Sequence, residues 1–383
     1  MAGLKPVFLG EIEVSEPQFE EMFGGQRKDY VIEEPGKLLS DEDRELMDFL
    51  EKSAPQIYVV GTGGSGNNTI NRMSSVGITG AKLLAMNTDA QHLLSIKSQK
   101  KLLLGKSKTR GMGAGSNPAI GEAAAQEQAE EIKEALKDAD LVFITCGLGG
   151  GTGTGSAPVI SRIAKEAGAL VVAIVTLPFT SEGSKRMRNA LDGLDKLKPA
   201  ADTTIAIPND KLLYFVADQP LDVAFRASDM VLTNAVKGIT ELITKPGLVN
   251  LDFADMRTIL DKSGTAMIGL GEVSNVDQRN RVLEAAEKAL SSPLLDLDIT
   301  EADKALINIT GGQDMTLGEA ELAVQSISSR MNKNSHVIWG ATVDRGMQKS
   351  AVRVLAVITG IRNLATEPGA GNGEEELELD FLG

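Results

Sequence analysis

The sequence predicts an α/β fold: a mostly parallel sheet covered by helices, then a long central helix, then a smaller α/β domain. Three observations support this fold class. Short apolar runs alternate with helical stretches from Gln56 onward, which is typical of a parallel sheet with crossover helices. The runs are apolar at nearly every position, as strands buried on both faces must be. Over residues 221–245, apolar residues recur three and four positions apart, which indicates one long helix.

The overall composition is that of an ordinary globular protein. Its 383 residues suffice for two domains, and its 42% hydrophobic and 24% charged residues fit that class. A net charge of −14 argues against broad nucleic-acid binding. No apolar run reaches the roughly 18 residues of a membrane helix, and we expect no signal peptide and a cytoplasmic location. One cysteine, Cys146, and two histidines exclude an internal disulfide and a Cys/His zinc site.

The first 220 residues fall into two parts. Residues 1–53 are an acidic extension with one short predicted helix, Asp41–Ala54. Residues 54–220 are the first domain, with a long helix predicted at 119–140. Its predicted strands are IYVV, KLLAM, LVFIT, LVVAIV and TTIAI. Ligands of such sheets bind where the strands end and the loops begin.

The next part of the chain, residues 221–255, holds the central helix and the loop after it. Lys245-Pro246-Gly247 ends that helix. Residues 256–365 form the second domain, with helices predicted near 278–291 and 317–331. Its predicted strands are AMIGLG, ALINIT, HVIWGATV and AVRVLAVITGI.

The acidic tail, residues 366–383, begins with a glycine-rich stretch typical of a flexible linker. It ends with three apolar residues among acids, Leu379, Phe381 and Leu382. Two interpretations stay open. The tail is either a disordered end or a short peptide that docks on a partner.

A glycine-rich loop separates a predicted strand from a predicted helix. Six of the nine residues in Gly147–Gly155 are glycine. A structural turn needs only one or two. Glycines let backbone N–H groups approach a ligand closely, and the helix N-terminus adds partial positive charge. The loop therefore predicts a phosphate site built from the backbone.

Another glycine loop, Gly61–Asn68, also lies between a strand and a helix, and it is the first of the two in chain order. Gly61, Gly63 and Gly66 match G-x-G-x-x-G, and Asp89 lies about 20 residues beyond, where a dinucleotide fold places its ribose-binding acid. A dinucleotide-dependent oxidoreductase is therefore one alternative. The richer loop, Gly147–Gly155, which is the second in chain order, does not fit such an enzyme.

The phosphate-binding loop of the Walker type is absent from the sequence. Gly105-Lys106-Ser107 imitates its end, but Lys100 stands where its first glycine is required. The sequence therefore predicts a phosphate binder with two glycine loops and no loop lysine.

The motifs together resemble one family. GGGTGTG, at Gly149–Gly155, is similar to the signature of the tubulin/FtsZ superfamily, and about residues 55–365 resemble its prokaryotic division GTPases, from archaea or bacteria. Further segments resemble that family's motifs in order: GTGGSGNN, NTDAQ, PFTSEGSKR, IPND, AFRASD and NLDFAD. The resemblance implies the tubulin/FtsZ fold and GTP hydrolysis.

The resemblance also implies the nucleotide-binding residues. The first loop and the strand beside it would contact phosphate or ribose through Gly64, Ser65, Gly66, Asn67, Asn68 and Asn87. The second loop would hold the β- and γ-phosphates through Gly149, Gly150, Gly151, Thr152, Gly153 and Thr154. Glu182 and Arg186 would engage the sugar, and Asn209 would lie beside the nucleotide. Phe225 would stack on the base, and Asp229 would accept from the guanine edge.

Some of these residues also have simpler interpretations. Ser65 interrupts a glycine run, and Asn67 stands where many relatives have glycine, so the contacts of that loop stay open. Glu182 and Arg186 are four apart and fit a surface ion pair. Phe225 fits plain core packing.

Hydrolysis of GTP needs acids, and the candidates lie far from the predicted nucleotide site. Asn250, Asp252 and Asp255 follow the long helix, whereas Asp229 lies near its start. Asp252 and Asp255 also fit a solvated helix cap. A helix from Asp229 to Lys245 is about 24 Å long, so the acids reach only another molecule's nucleotide. A site at one end and its acids at the other predict head-to-tail filaments.

The resemblance implies ligands and partners as well. The ligands are GTP and GDP with Mg²⁺. Phosphates and water would hold the Mg²⁺ without protein ligands, and whether K⁺ also binds stays open. Expected partners are further copies of the chain and, through the tail, membrane-adaptor division proteins at mid-cell. Neither nucleic acid nor direct membrane insertion is expected. A cell-shape role and a non-catalytic nucleotide-binding scaffold stay open as alternatives.

Overall fold

The computed structural model describes residues 7–9, 12–14, 54–216, 221–245, 247–249, 251–274, 280–292, 294–295, 299–344 and 346–360. The chain divides into two units, Met1–Pro55 and Gln56–Gly383. In the first unit, β1 (Val7–Leu9) pairs antiparallel with β2 (Ile12–Val14). The helix predicted at Asp41–Ala54 and the acidic tail lie outside the described residues, Ala54 excepted, and stay predictions.

The second unit begins with an alternation of strands and helices. The strands are β3 (Ile57–Thr62), β4 (Ala81–Asn87), β5 (Lys100–Leu103), β6 (Leu141–Gly147), β7 (Leu170–Leu177) and β8 (Thr203–Pro208). The helices are α1 (Gly63–Val76), α2 (Ala90–Ser95), α3 (Pro118–Glu127), α4 (Ala129–Leu136), α5 (Thr152–Glu166), α6 (Ser184–Leu197) and α7 (Asn209–Val216). A short 3₁₀ turn, Thr180–Glu182, precedes α6.

The long helix α8 (Leu221–Thr244) and the short helix α9 (Phe253–Leu260) follow. The remaining strands are β9 (Gly264–Val273), β10 (Lys304–Gly311), β11 (His336–Val343) and β12 (Val352–Thr359), and the remaining helices are α10 (Arg281–Leu290) and α11 (Leu317–Ser328). All nine predicted strands of the two domains are confirmed, and β5 is an addition to them.

One sheet of ten strands runs through both predicted domains, in the order β11-β10-β12-β9-β8-β7-β6-β3-β4-β5. Strand β12 pairs antiparallel with both neighbours, and the other pairs in this sheet are parallel. The halves join where β8 pairs with β9 over three residues, Thr203–Ile205. The mostly parallel sheet is therefore confirmed, and it continues into the second α/β half.

Helices cover both faces of the sheet. On one face, α1, α8 and α9 bury side chains such as Ile70, Leu232, Ile239 and Ile259 against the strands. On the other face, α3–α6 cover the first half of the sheet, and α10 and α11 cover the second half. Because α8 packs on strands of both halves, it links the first half of the sheet to the second. Among the described helices, none is long and apolar enough to cross a membrane.

The structure corrects two helix predictions. The single helix predicted at 119–140 is wrong: the segment forms α3 and α4, which Gln128 separates. Gln128 is 6% exposed, and its side chain accepts a hydrogen bond from the Gly105 amide, so a distant loop fixes the break. Helix α1 begins at Gly63, inside the first glycine loop rather than after it.

Candidate functional site

A cavity of about 270 Å³ opens at the carboxyl ends of the parallel strands. Its walls come from both glycine loops and from the segments that follow β7 and β8. The lining residues are Gly64, Ser65, Asn68, Gly147, Leu148, Thr176, Pro178, Glu182, Arg186, Asn209, Ser228 and Asp229. A cavity at this edge is where α/β sheets bind ligands.

The first loop brings a helix N-terminus to the cavity. Gly63 has a φ of +73°, and a Cβ there would lie 2.8 Å from the Gly153 amide nitrogen, so the two loops meet backbone to backbone. The first turn of α1 follows immediately, and its N–H groups have no partners within the helix. Such amides, together with the helix dipole, favour an anion.

The second loop brings another helix N-terminus beside the first. Gly149 has a φ of +99°, and its N–H donates to the Thr154 hydroxyl at 2.8 Å. The hydroxyls of Thr152 and Thr88 lie 2.6 Å apart. Helix α5 begins at Thr152, so two helix N-termini converge on one region. This is an arrangement for a ligand with more than one negative group.

A third loop packs against the second, and the sequence analysis missed it. Gly111, Gly113 and Gly115 have φ values of +75°, +85° and +57°. The Gly113 N–H donates to the Thr88 carbonyl at 3.1 Å. A Cβ at Gly151 would lie 2.8 Å from the Asn117 amide nitrogen. The signal was present as GMGAGSNP, three spaced glycines before an Asn-Pro helix start.

An ion pair lies at one side of the cavity. Arg186 Nη1 is 2.8 Å from Glu182 Oε2, while Glu182 Oε1 accepts from the Phe179 amide at 2.9 Å. The Asp210 carboxylate holds the adjacent turn, since Thr180 donates its amide at 3.1 Å and its hydroxyl at 2.6 Å. The ion pair considered from the sequence is therefore present, and both members also line the cavity.

A half-buried carboxylate lies at another side of the cavity. Asp229 accepts from the Thr69 hydroxyl at 3.0 Å. Burial raises the pKa of Asp229 to about 6, although the Thr69 hydrogen bond and the charge of Arg72 lower it. A ligand that offers N–H donors would favour the ionised carboxylate. Asn209 Oδ1 nearby accepts from Ser228 at 3.1 Å.

The predicted nucleotide-binding residues divide into two groups. Those that line the cavity are Gly64, Ser65, Asn68, Glu182, Arg186, Asn209 and Asp229. Those described near it but not lining it are Gly66, Asn67, Asn87, Gly149, Gly150, Gly151, Thr152, Gly153 and Thr154. The side chain of Phe225 lies outside the described residues, so its stacking stays a prediction.

The structure gives the Asn67 side chain a supporting position. It is fully buried. Its amide nitrogen lies 2.8 Å from the Gly61 carbonyl and 3.3 Å from that of Met86, and its oxygen lies 3.0 Å from Asn87 Nδ2. These contacts tie the loop to the ends of β3 and β4. A direct ligand contact from this loop is therefore left to its backbone and to the neighbouring side chains.

The predicted acids lie elsewhere in the chain. Asp252 caps α9, and its carboxylate accepts from the Asp255 amide at 2.7 Å. Both side chains are exposed, and neither lines the cavity. The helix segment from Asp229 to Thr244 alone spans about 22 Å. Asn250 lies outside the described residues.

Comparisons with known proteins show which family the chain resembles. A model of the GTPase domain of the tubulin/FtsZ family matches residues 56–217, and a model of the FtsZ-family C-terminal domain matches residues 264–362. "Cell division protein FtsZ 1" of Methanocaldococcus jannaschii is 53% identical over 356 residues, covering 91% of this chain and 97% of that protein. The protein of the same name from Thermococcus kodakarensis is 54% identical, covering 90% and 93%.

Solved structures give the same result for the fold. The structure described as "FtsZ dimer, empty (M. jannaschii)" has a TM-score of 0.79 and 55% identity, covering 85% of this chain and 93% of that one. CetZ2 from Haloferax volcanii has a TM-score of 0.68 at 22% identity, covering 80% and 93%, and shares the fold.

Proposed function

This chain belongs to the tubulin/FtsZ family of GTPases, and we propose that it builds the head-to-tail filaments of the cell-division ring. Each contact between successive subunits would complete one hydrolytic site. The observation that supports this most is the separation within one chain of the cavity beside Asp229 from the exposed acids Asp252 and Asp255. A chain that keeps its acids so far from its own cavity needs a second copy.

We assign each part of GTP to one side of the cavity. The phosphates would lie at the N-termini of α1 and α5, where backbone amides from Gly64 to Gly66 and from Gly149 to Thr154 would replace a loop lysine. Glu182 and Arg186 line the cavity and would face the sugar. Asp229 accepts from the N1 and amino hydrogens of guanine, which adenine does not offer as a pair.

The side chains around the cavity indicate how cations would be bound. The described residues contain no cluster of three or more His, Cys, Asp or Glu side chains that could hold a metal ion. Among the lining carboxylates, Glu182 already pairs with Arg186. Mg²⁺ keeps several of its waters and binds substrate phosphates readily, so phosphate oxygens and water would hold it here. When bound it neutralises phosphate charge, and K⁺ is proposed as an additional cation.

The neighbouring subunit would supply the groups that orient water. Asp255 extends from the first turn of α9, and Asp252 caps that helix, so both carboxylates are held on a rigid element. Their exposure leaves them free to face the γ-phosphate of an adjoining subunit. A contact between unlike ends does not close on itself and therefore propagates as a filament.

A complementation assay tests this arrangement. Asp255→Ala keeps the cavity and loses one acid, whereas Asp229→Ala keeps the acids and loses the guanine contact. We expect each variant alone to hydrolyse GTP at least about tenfold more slowly than the unaltered chain. The mixture regains turnover, because an intact cavity can meet intact acids across a contact. Glu321→Ala, an exposed carboxylate on α11, is the control and keeps full turnover.

Two results would contradict the shared site. One is full turnover by Asp255→Ala alone. The other is a mixture that sediments as copolymer yet hydrolyses no GTP.

The cellular role follows from the relatives. Proteins 50–54% identical to this chain are named cell division proteins, which favours division over the cell-shape alternative. The oxidoreductase alternative has no support from the family. We propose a mid-cell, cytoplasmic location and membrane-adaptor partners bound through residues 366–383. Removal of that segment should leave GTP turnover intact and abolish recruitment to the membrane.

A further inference from the structure

His92 lies behind the cavity and belongs to none of the motifs discussed above. It is in the short helix α2, and its ring is part-buried between the end of β4 and the first glycine loop. His92 Nδ1 lies 3.1 Å from Asn87 Nδ2, and His92 Nε2 lies 3.1 Å from Asn68 Oδ1. The ring therefore connects a buried amide to one that lines the cavity.

The orientation of the Asn87 amide is fixed by its other contacts. Its oxygen accepts from the Asp89 backbone N–H at 3.3 Å. Its nitrogen lies 3.0 Å from the Asn67 amide oxygen. Asn87 is 3% exposed, so no water competes for these positions. The nitrogen of Asn87 consequently faces His92 as a donor.

A donor at Asn87 decides the state of the histidine ring. Nδ1 must accept, so the neutral ring carries its proton on Nε2. That proton is donated to Asn68 Oδ1, which turns the Asn68 oxygen toward His92 and leaves the Asn68 NH₂ group free as a donor. In this relay of hydrogen bonds, Asn87 donates to His92 and His92 donates to Asn68, from the end of β4 to the cavity wall.

We propose that His92 is a positioning residue of the nucleotide site, which acts by holding the Asn68 amide in its donor orientation. This inference depends on the proposed function, because it assigns the cavity to a nucleotide. A nucleotide presents phosphate and ribose oxygens, which are acceptors. Without His92 the Asn68 amide rotates freely and presents its oxygen, an acceptor, as readily as its nitrogen.

The first test measures GDP affinity by calorimetry on the full chain. His92→Ala should weaken GDP binding about fivefold, the effect of losing one well-oriented hydrogen bond. His92→Gln can accept from Asn87 and donate to Asn68, so it should stay within about twofold of the unaltered chain. Leu94→Ala, on the same helix at 78% exposure, is the control and should change nothing.

A double-mutant cycle separates positioning from a general structural role. If His92 acts through Asn68, His92→Ala causes no further loss of affinity in an Asn68→Ala background. A further fivefold loss there would overturn the proposal. Equal affinities for the unaltered chain and His92→Ala would also overturn it. Failure of the unaltered chain to bind GDP would instead overturn the proposed function.

The tautomer can be observed without any change at His92. The chain has two histidines, and His336→Gln removes the signals of the other one. ¹⁵N spectra of labelled imidazole should show the neutral Nε2–H tautomer for His92. A predominant Nδ1–H tautomer would reverse the relay and overturn the proposal.

Discussion

Thr69 donates a hydrogen bond of 3.0 Å to Asp229 across 160 positions of the chain. Thr69 lies in α1, which begins in the first glycine loop, and Asp229 lies on α8. The contact joins the helix of the first glycine loop to the helix that runs toward the second domain. A change at Asp229, the proposed guanine contact, therefore acts directly on the first glycine loop, the proposed phosphate site.

The raised pKa of Asp229 predicts a pH dependence of guanine-nucleotide binding. In the free protein burial raises this pKa to about 6. Guanine donors favour the ionised form, so binding lowers the pKa and releases a proton below about pH 6. Affinity for GDP should therefore fall as pH decreases through 6, by at most about tenfold per unit. Calorimetry between about pH 5 and 8 measures it.

Asp229→Asn provides the comparison for that profile. The amide does not titrate, so the variant should bind GDP more weakly and lack this component of the pH dependence. Titration of the nucleotide's own phosphates is common to both proteins and cancels in their difference. Identical profiles for the two proteins would contradict the assignment of Asp229. The sign is opposite for the stability of the free protein: the raised pKa of Asp229 stabilises the folded state fully below the ordinary carboxyl pKa, and this stabilisation is lost as pH rises through about 6.

Alanine substitutions at two glycines distinguish the effect of backbone strain from the effect of crowding at the site. Gly63 and Gly77 have nearly the same φ, +73° and +75°. A Cβ at Gly77 meets nothing within 4 Å, whereas one at Gly63 lies 2.8 Å from the Gly153 nitrogen. Gly77→Ala should cost about 1 kcal/mol of unfolding free energy and leave GDP affinity unchanged. Gly63→Ala should cost more, about 2–4 kcal/mol, and abolish GDP binding.

Urea denaturation and GDP titration of both variants check this prediction. If Gly63→Ala binds GDP as well as Gly77→Ala does, the two loops do not need their close backbone contact.

A buried ion-pair cluster should carry part of the acid sensitivity of the second domain. Arg281 is 1% exposed, and it contacts Glu319 at 2.7 Å and Asp314 at 2.6 Å. Burial, the largest single cause, raises the pKa values of both carboxyls, but the hydrogen bonds and charge of Arg281 together with backbone hydrogen bonds from Ser350 and Thr316 outweigh it, and both pKa values are lowered. These carboxylates therefore stabilise the folded protein fully when the pH is above the ordinary carboxyl pKa. The stabilisation is lost as the pH falls through their lowered pKa values.

Arg281→Ala should lower the unfolding free energy by about 3 kcal/mol, because it leaves two carboxylates without their partner. Arg330→Ala, which removes an exposed pair with Glu287, is the matched control and should cost less than about 1 kcal/mol. Urea denaturation at neutral and acidic pH compares them. Equal losses in the two variants would show that burial of the cluster adds nothing.

Much of the architecture was predictable because it depends on local patterns. Strands β3, β4, β6, β7 and β8 are short, largely apolar runs separated by helical stretches. Strand β5 was missed because it is a short edge strand that begins with Lys100 and Lys101, a pattern typical of protected edges rather than of cores. The direction of β12 depends on pairing across the chain, which no local pattern encodes.

The site was predictable where composition alone identifies it, at the two glycine loops. The different positions of Asn67 and Asn68 were not predictable, because a rotation of 100° per residue in a helix turns one to the core and the other to the cavity. That the loop is already helical is visible only in the structure. The break at Gln128 was missed for a similar reason, since its cause is the distant Gly105.

GTP turnover measured against protein concentration, with Mg²⁺ present, tests the shared site most directly. We expect almost no hydrolysis up to a threshold concentration and then a linear rise, because the cavity near Asp229 meets Asp252 and Asp255 only between subunits. Turnover that rises in direct proportion to concentration from zero would contradict it, and each subunit would then hydrolyse GTP with groups from its own loops.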